Sequence, residues 1–346
     1  MKRVGIVGHF GKGLNLLNGQ TIKTKIVATE LERVFGKESV LEVDTHGGLK
    51  SFLILPFVLF FTLARCKNVV ILPAQNGLRV IVPLLYIFNV CFRRKLHYVV
   101  IGGWMPNLIS NKPFLTHCLK RFGQLYVETS IVKKTLEDRK FSNVSVMRNC
   151  KPLEILPESE LENQCSKEFR LCIFSRVMKQ KGIEQAVTAI TKMNEKFGQE
   201  SCSLDIYGQV EEAEKEWFKT LQESFPSNVA YKGVVPFNES VKVLKDYSAL
   251  LFPTLFFTEG VPGTIIDAYA AGLPVISSRW ASFSDVIEEG KTGFGYEFGS
   301  LEHLCGLLEE LIAAPEKVYN LRRNCTVKAM QFLPENAMKQ FIDGMR

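Results

Sequence analysis

Short apolar runs, three to five residues long, recur along the chain with helix-patterned stretches between them. Residues 4–7, 40–43, 69–72, 97–101, 125–127 and 144–147 read as one series of strands. A second series follows at 171–175, 204–207, 229–231, 250–252 and 275–277. Intervening segments such as 21–35 and 132–139 carry helical periodicity. Strands that alternate with helices predict parallel sheets covered on both faces. The pattern breaks over 149–169, where Pro152, Pro157 and a polar, acidic run replace the apolar rhythm. Two α/β domains are therefore expected, 1–156 and 157–332. Two uncharged stretches of 13 residues, 52–64 with Pro56 and 80–92 with Pro83, are too short for the roughly 20 residues of a membrane span. They are read as helices packed on a sheet.

The densest chemistry lies in Phe257-Thr258-Glu259-Gly260-Val261-Pro262-Gly263-Thr264-Ile265-Ile266-Asp267, followed by Ala268-Tyr269-Ala270-Ala271-Gly272-Leu273-Pro274-Val275-Ile276. A strand at 249–252 runs into a Gly/Pro loop and then about two helical turns, which Gly272 and Pro274 stop. A helix that opens on glycines presents unpaired N–H groups and a partial positive charge, a ready site for a diphosphate. Glu259 and Asp267 flank that point, placed to accept hydrogen bonds from sugar hydroxyls. Read alone, Asp267 is equally a first-turn acid favoured by the helix dipole.

This stretch resembles the donor-binding motif of glycosyltransferase family 4, among the group 1 transferases of bacterial surface polysaccharide synthesis. The family has two acidic residues separated by seven others, here Glu259 and Asp267. The resemblance implies that Glu259 contacts the donor sugar and Asp267 the ribose. The backbone of Gly260, Val261, Pro262, Gly263 and Thr264 would meet the diphosphate. The family usually has Glu at both acidic positions, so Asp267 is one methylene short. The implied fold is GT-B, two doubly wound Rossmann-like domains facing an interdomain cleft. The first domain would take the acceptor, the second the nucleotide-sugar, and the terminal segment 333–346 would cross back onto the first.

Phe174-Ser175-Arg176-Val177-Met178-Lys179-Gln180-Lys181-Gly182 leaves a strand with an Arg and, five residues on, a Lys. In the family such a pair grips the diphosphate, which implies catalytic roles for Arg176 and Lys181 beside Glu259. Fixed cations stabilise charge that develops on the leaving group. Lys179 is expected to be solvated. The strand-ending loops at 205–209 and 231–236 pass near the base in relatives and are otherwise ordinary turns.

In the first domain, Gly8, Gly11 and Gly13 form a cluster in the wrong order for a dinucleotide fingerprint. The resemblance instead points to Gly19 and Gln20 as donor-binding residues, with Gly19 allowing close backbone approach. Many family members carry a His after the fourth strand, whereas this chain has Ile101-Gly102-Gly103-Trp104. His9, Lys23, Gly103 and Trp104 are the expected acceptor or cleft residues. His46, His97, His117 and His303 are expected at the surface or in packing. With no obvious base, a retaining mechanism in which the departing diphosphate helps to take the acceptor proton is compatible.

Composition narrows the partners. The chain has 346 residues, 46% hydrophobic, enough for two cores. Nine cysteines without C-x-x-C spacing argue against a disulfide framework or zinc site. No D-x-D triplet occurs, so no metal and no resident cofactor are expected. Residues 1–157 hold 23 Lys/Arg against 9 Asp/Glu, a net +14, while the remainder is −7. Residues 45–127 contain ten Lys/Arg and no acid. Such asymmetry points to an anionic partner. Without a nucleic-acid-binding motif, nucleic acid is set aside for an anionic membrane surface or a lipid-diphosphate acceptor. The expectation is a cytoplasmic hexosyltransferase, peripheral on the inner face of the membrane, using a nucleotide-sugar such as a UDP-sugar. A nucleotide-sugar epimerase of the same fold and a non-catalytic membrane-associated nucleotide-sugar-binding protein remain open.

Overall fold

The computed structural model describes residues 1–14, 18–161, 168–198 and 201–346, with residues 48–52 described by backbone alone. Part of the expected linker, 162–167, lies outside the described residues. The chain divides into two compact units, Met1–Pro152 with Leu333–Arg346, and Leu153–Phe332.

In the first unit the strands are β1 (Lys2–Gly8), β2 (Val40–Asp44), β3 (Cys66–Leu72), β4 (Lys95–Val99), β5 (Gln124–Val127) and β6 (Val144–Val146). They pair in parallel in the order β2-β1-β3-β4-β5-β6. The order reverses direction between β1 and β3, so a topological switch point lies there. The helices are α1 (Gly19–Phe35), α2 (Gly48–Arg65), α3 (Gln75–Phe92), α4 (Met105–Ile109), α5 (Pro113–Lys120) and α6 (Ser130–Asp138). Asn18 starts α1 by accepting from Thr21 N–H at 2.9 Å, and Thr129 starts α6 in the same way. Both long apolar stretches are helical, as their composition predicts. Each holds an interior proline, a defect of about 3 kcal/mol that packing must offset. By length and composition α3 could also cross a bilayer, yet Leu78, Ile81, Val82 and Leu85 join the core over the sheet.

The other sheet face is closed by α1 and by the terminal segment. Val27, Ala28 and Leu31 pack with Met338, Phe341 and Ile342. Phe341 is fully buried, 4.8 Å edge-on from the Tyr126 ring. The return of 333–346 to the first unit therefore has a packing cause.

The second unit contains β7 (Phe169–Phe174), β8 (Cys202–Tyr207), β9 (Val229–Gly233), β10 (Ala249–Phe252), β11 (Val275–Ser278) and β12 (Gly293–Tyr296). Their parallel order is β12-β11-β10-β7-β8-β9, with the switch point between β7 and β10. Here the helices used below are α7 (Ile183–Phe197), α8 (Lys215–Glu223), α9 (Ser240–Leu244) and α10 (Gly263–Ala270). The unit begins at Leu153 rather than 157. Leu153 and Ile155 pack on its core, and Leu156 N–H donates to Ala270 C=O at 2.8 Å. Its sixth strand was not expected, because Gly293-Phe294-Gly295-Tyr296 carries little strand signal.

Candidate functional site

The switch point of the second unit brings together Lys181 and Glu259, two of the charged residues singled out in the sequence. The loop leaving β7 turns through Lys179–Lys181 and reaches Gly182, in the left-handed region at φ 71°. A Cβ there would lie 1.9 Å from the Pro253 carbonyl oxygen, so only glycine lets this loop close on the one after β10. Leu255 N–H donates to Gln180 C=O at 2.9 Å and ties the same two loops. A second close approach binds the β8 loop, where a Cβ on Gly208 would meet Ser175 C=O at 1.8 Å.

This stitching sets Lys181 beside Glu259. Their Nζ and Oε1 atoms form an ion pair, and each side chain is 16% exposed. Thr254 Oγ1 lies 3.4 Å from the same carboxylate and itself accepts from Phe256 N–H, fixing the start of the loop. Lys181 also sits 5.4 Å over the Phe252 ring. Arg176 is exposed and pairs with Glu211 at 3.0 Å, an arrangement that solvent keeps weak and exchangeable.

Helix α10 opens on Gly263 with Pro262 before it and no side-chain cap. Ile265 N–H donates to Pro262 C=O at 3.1 Å, and the N–H groups of Gly263 and Thr264 ahead of it face the helix start, where an outside acceptor can meet them. Thr264 Oγ1 is buried there without a hydrogen-bond partner. Gly260 and Val261 are buried beneath the loop. Asp267 departs from expectation in its surroundings. It is 2% exposed and accepts from Ser240 Oγ at the start of α9, at 3.1 Å. The shorter carboxylate points into the protein toward α9, where helix packing holds it.

In the first unit, the residues after β1, β2 and β3 line a cavity of about 360 Å³ at the β1/β3 switch point. Its walls include Leu55 and Val58 of α2 and Val80 and Ile81 of α3, with His9, Gln20 and Asp44 on the polar side. His9 Nδ1 lies 2.8 Å from Thr21 Oγ1, and its Nε2 lies 3.0 Å from His46 Nδ1. His46 was expected in packing or at the surface; it is exposed, yet it partners His9. Burial alone would raise the Asp44 carboxyl pKa. Backbone N–H bonds from Lys12, His46, Phe10 and Gly11 outweigh this and hold it below the usual range.

Other first-unit candidates separate. Gln20 donates to Leu72 C=O at 3.1 Å on the cavity wall. A Cβ on Gly19 would meet nothing within 4 Å, so no contact within the protein demands glycine there. Lys23 is not open to solvent as a cleft residue would be. It is 2% exposed and forms a buried ion pair with Glu128. A buried ion on α1 needs a partner, and the end of β5 supplies it. Trp104 packs against the core, and Gly103 lies beside it in the turn before α4. His97 is buried and stacked near Tyr126. Burial first, and the Lys95 charge second, push its pKa down to about 4. Among the described residues no cluster of three His, Cys, Asp or Glu could hold a metal ion.

Residues 168–314 match the family model of glycosyl transferases group 1. Two curated relatives agree with it. The amylovoran biosynthesis glycosyltransferase AmsK of Erwinia amylovora is 25% identical over 156 residues, 44% of this chain and 38% of AmsK. An uncharacterized glycosyltransferase of Methanocaldococcus jannaschii is 22% identical over 180 residues, 52% of this chain and 44% of that protein. The matched region thus spans less than half the length of either relative. Among solved structures, Anabaena HepE in complex with UDP is similar with a TM-score of 0.77, at 15% identity over 99% of each chain. Sucrose-phosphate synthase from Thermosynechococcus elongatus has a TM-score of 0.75, at 13% identity over 99% of this chain and 97% of that one. Residues 168–314 are therefore similar to group 1 glycosyl transferases, and they lie within a two-unit α/β fold of the GT-B type.

Proposed function

We propose that this protein is a retaining family 4 glycosyltransferase that moves a sugar from a UDP-sugar to a saccharide carried on a lipid diphosphate at the cytoplasmic face of an anionic membrane. The observation that carries the reading is the Lys181–Glu259 pair at the β7/β10 switch point, beside the glycine-opened helix α10. Ligands of doubly wound sheets bind at such points, and helix N-termini take phosphate. The solved complexes of HepE with UDP and with UDP-glucose support a uridine donor, and AmsK, named as a glycosyltransferase of amylovoran biosynthesis, supports a biosynthetic transfer. The +14 balance of residues 1–157 supports an anionic acceptor.

In this scheme the bond between sugar C1 and the diphosphate oxygen breaks as the acceptor oxygen bonds to C1 on the same face. A leaving phosphate oxygen takes the acceptor proton, and UDP departs. Lys181 and Arg176 balance the charge that grows on the diphosphate. The N–H groups of Gly263 and Thr264 meet the same oxygens, and Glu259 accepts from a donor-sugar hydroxyl. Asp267 reaches the ribose only by leaving Ser240. Gly19 and Gln20 approach the donor, while His9, Gly103 and Trp104 belong to the acceptor side. Diphosphate displaces Glu259 from Lys181, so one binding event frees both groups for their tasks.

The test is incubation with a panel of UDP-sugars and a lipid-linked saccharide, reading released UDP and lengthened acceptor. Release of UDP coupled to acceptor growth with the anomeric configuration kept is the expected result. Free epimer without transfer, or UDP binding without turnover of any donor, would replace this reading.

A further inference from the structure

We propose that the paired helices α2 and α3 are a membrane-inserting face, which seats the first unit in the headgroup layer of an anionic bilayer through apolar side chains. The inference rests on the lipid-linked acceptor of the reading above and names the surface that would reach it. Leu53, Phe57, Phe60 and Phe61 recur at helical spacing on α2, and all are exposed, Phe57 at 69%. Leu59 and Leu63, on the opposite face, are fully buried. The helix is therefore apolar on its inner and outer sides alike, which a helix that meets only core and water has no reason to be.

Helix α3 extends the stripe with exposed Ile87 and Val90. The two helices are joined by edge-on contacts from Phe60 to Phe88 and Phe92, at 5.9 and 5.0 Å. At its other end the stripe meets the first-unit cavity, because Ile54 is exposed and also lines it. An apolar chain lying on the stripe would have a continuous path to the β1/β3 switch point.

Charge selects the occupant. Helix α2 leads into β3 and α3 into β4, and Asn68 is in register with Lys95. Arg65, Lys67, Arg93 and Lys95 therefore collect at one end of the helix pair, all exposed. Arg65 sits 5.9 Å from the Phe61 ring centroid, so cation and apolar side chain share one rim. No acid occurs from residue 45 to 127. Aromatic and aliphatic side chains bordered by Lys and Arg suit the boundary of an anionic bilayer. A second copy of this face would bring two basic rims together with no acid between them.

Vesicle co-sedimentation of the full chain tests the face. Wild type should pellet with phosphatidylglycerol-containing vesicles at low salt and keep a measurable bound fraction at about 0.5 M salt, since apolar insertion is not screened. Phe57→Ser with Phe61→Ser should lower vesicle affinity at least tenfold. Lys67→Glu with Lys95→Glu should weaken binding and flatten its salt dependence. Both side-chain pairs are exposed, so UDP-induced thermal stabilisation should be unchanged in each variant. Retained UDP response with lost vesicle binding upholds the face. Wild type that stays in the supernatant with every vesicle, or serine variants that bind as wild type does, overturns it. A dimer in analytical ultracentrifugation that the serine variant splits also overturns it, because a second copy then covers the stripe. Loss of UDP response in wild type would count against the transferase reading and leave the vesicle result to stand by itself.

Discussion

Lys181 and Glu259, 78 residues apart in sequence, neutralise each other at the switch point of the second unit. In the proposed reading, the cation meant for a diphosphate and the carboxylate meant for a sugar hydroxyl hold each other in place. Their separate consequences can be read by removing one at a time.

Glu259→Ala should cut transfer ten- to a hundred-fold, the worth of a lost charged hydrogen bond of about 1.5–3 kcal/mol. UDP should bind the variant at least as tightly as wild type, because Lys181 no longer has to leave a partner. Lys181→Ala should instead lower kcat and UDP affinity together. Isothermal titration with UDP beside turnover assays separates the two. Normal turnover by the Glu259 variant, or loss of its UDP affinity, would remove the assigned roles.

Transfer should survive EDTA. Basic side chains and the α10 N–H groups are the expected diphosphate partners, and the chain has no D-x-D triplet. Activity that disappears on chelation and returns with magnesium would show that a divalent ion does this work.

Two glycine substitutions should behave in opposite ways. Gly182→Ala forces a Cβ against Pro253 in a left-handed backbone conformation and should cost about 2–4 kcal/mol of stability. Gly19→Ala meets open space and should leave the melting temperature unchanged while raising the KM for donor. Thermal melts and donor titrations of both variants check this, and a silent Gly19→Ala in the kinetics would leave that glycine without a role.

His97 should make the first unit acid-sensitive. Its folded pKa of about 4 lies below the ordinary 6.5, so the unfolded chain binds the proton first. Stability is complete above pH 6.5 and falls as pH drops toward 4, by about 3 kcal/mol at 1.4 kcal/mol per unit. His97→Gln should flatten denaturation midpoints over that window. A wild-type midpoint that does not move between pH 6.5 and 4 would contradict the buried neutral ring.

Strands were legible because both faces of a covered parallel sheet ask for unbroken apolar runs, as at β1 and β3. The Gly/Pro loop that opens helix α10 was legible because its spacing is local. What escaped depends on partners distant in sequence. Lys23 carries a charge that reads as exposed until Glu128, 105 residues on, is brought to it. The His9–His46 contact forms only when β1 and β2 pair in register. Asp267 stands where the resemblance implies a ribose contact, one methylene shorter than the usual Glu, and the sequence does not show that Ser240 bonds to it from α9. The strand β12 is held by pairing with β11 rather than by its own residues.

The return of Leu333–Arg346 to the first unit has a consequence for synthesis on the ribosome. Phe341 fills the space beside Tyr126 and His97, and Arg3 Nε donates to Met345 C=O at 3.0 Å. The unit whose first strand emerges earliest thus acquires its closing core residues last. Leu153–Phe332 is contiguous and can complete its own core while the nascent first unit still waits with one sheet face covered only in part, by α1. The core of the first unit can thereby be completed only after the whole of the second unit has been synthesised.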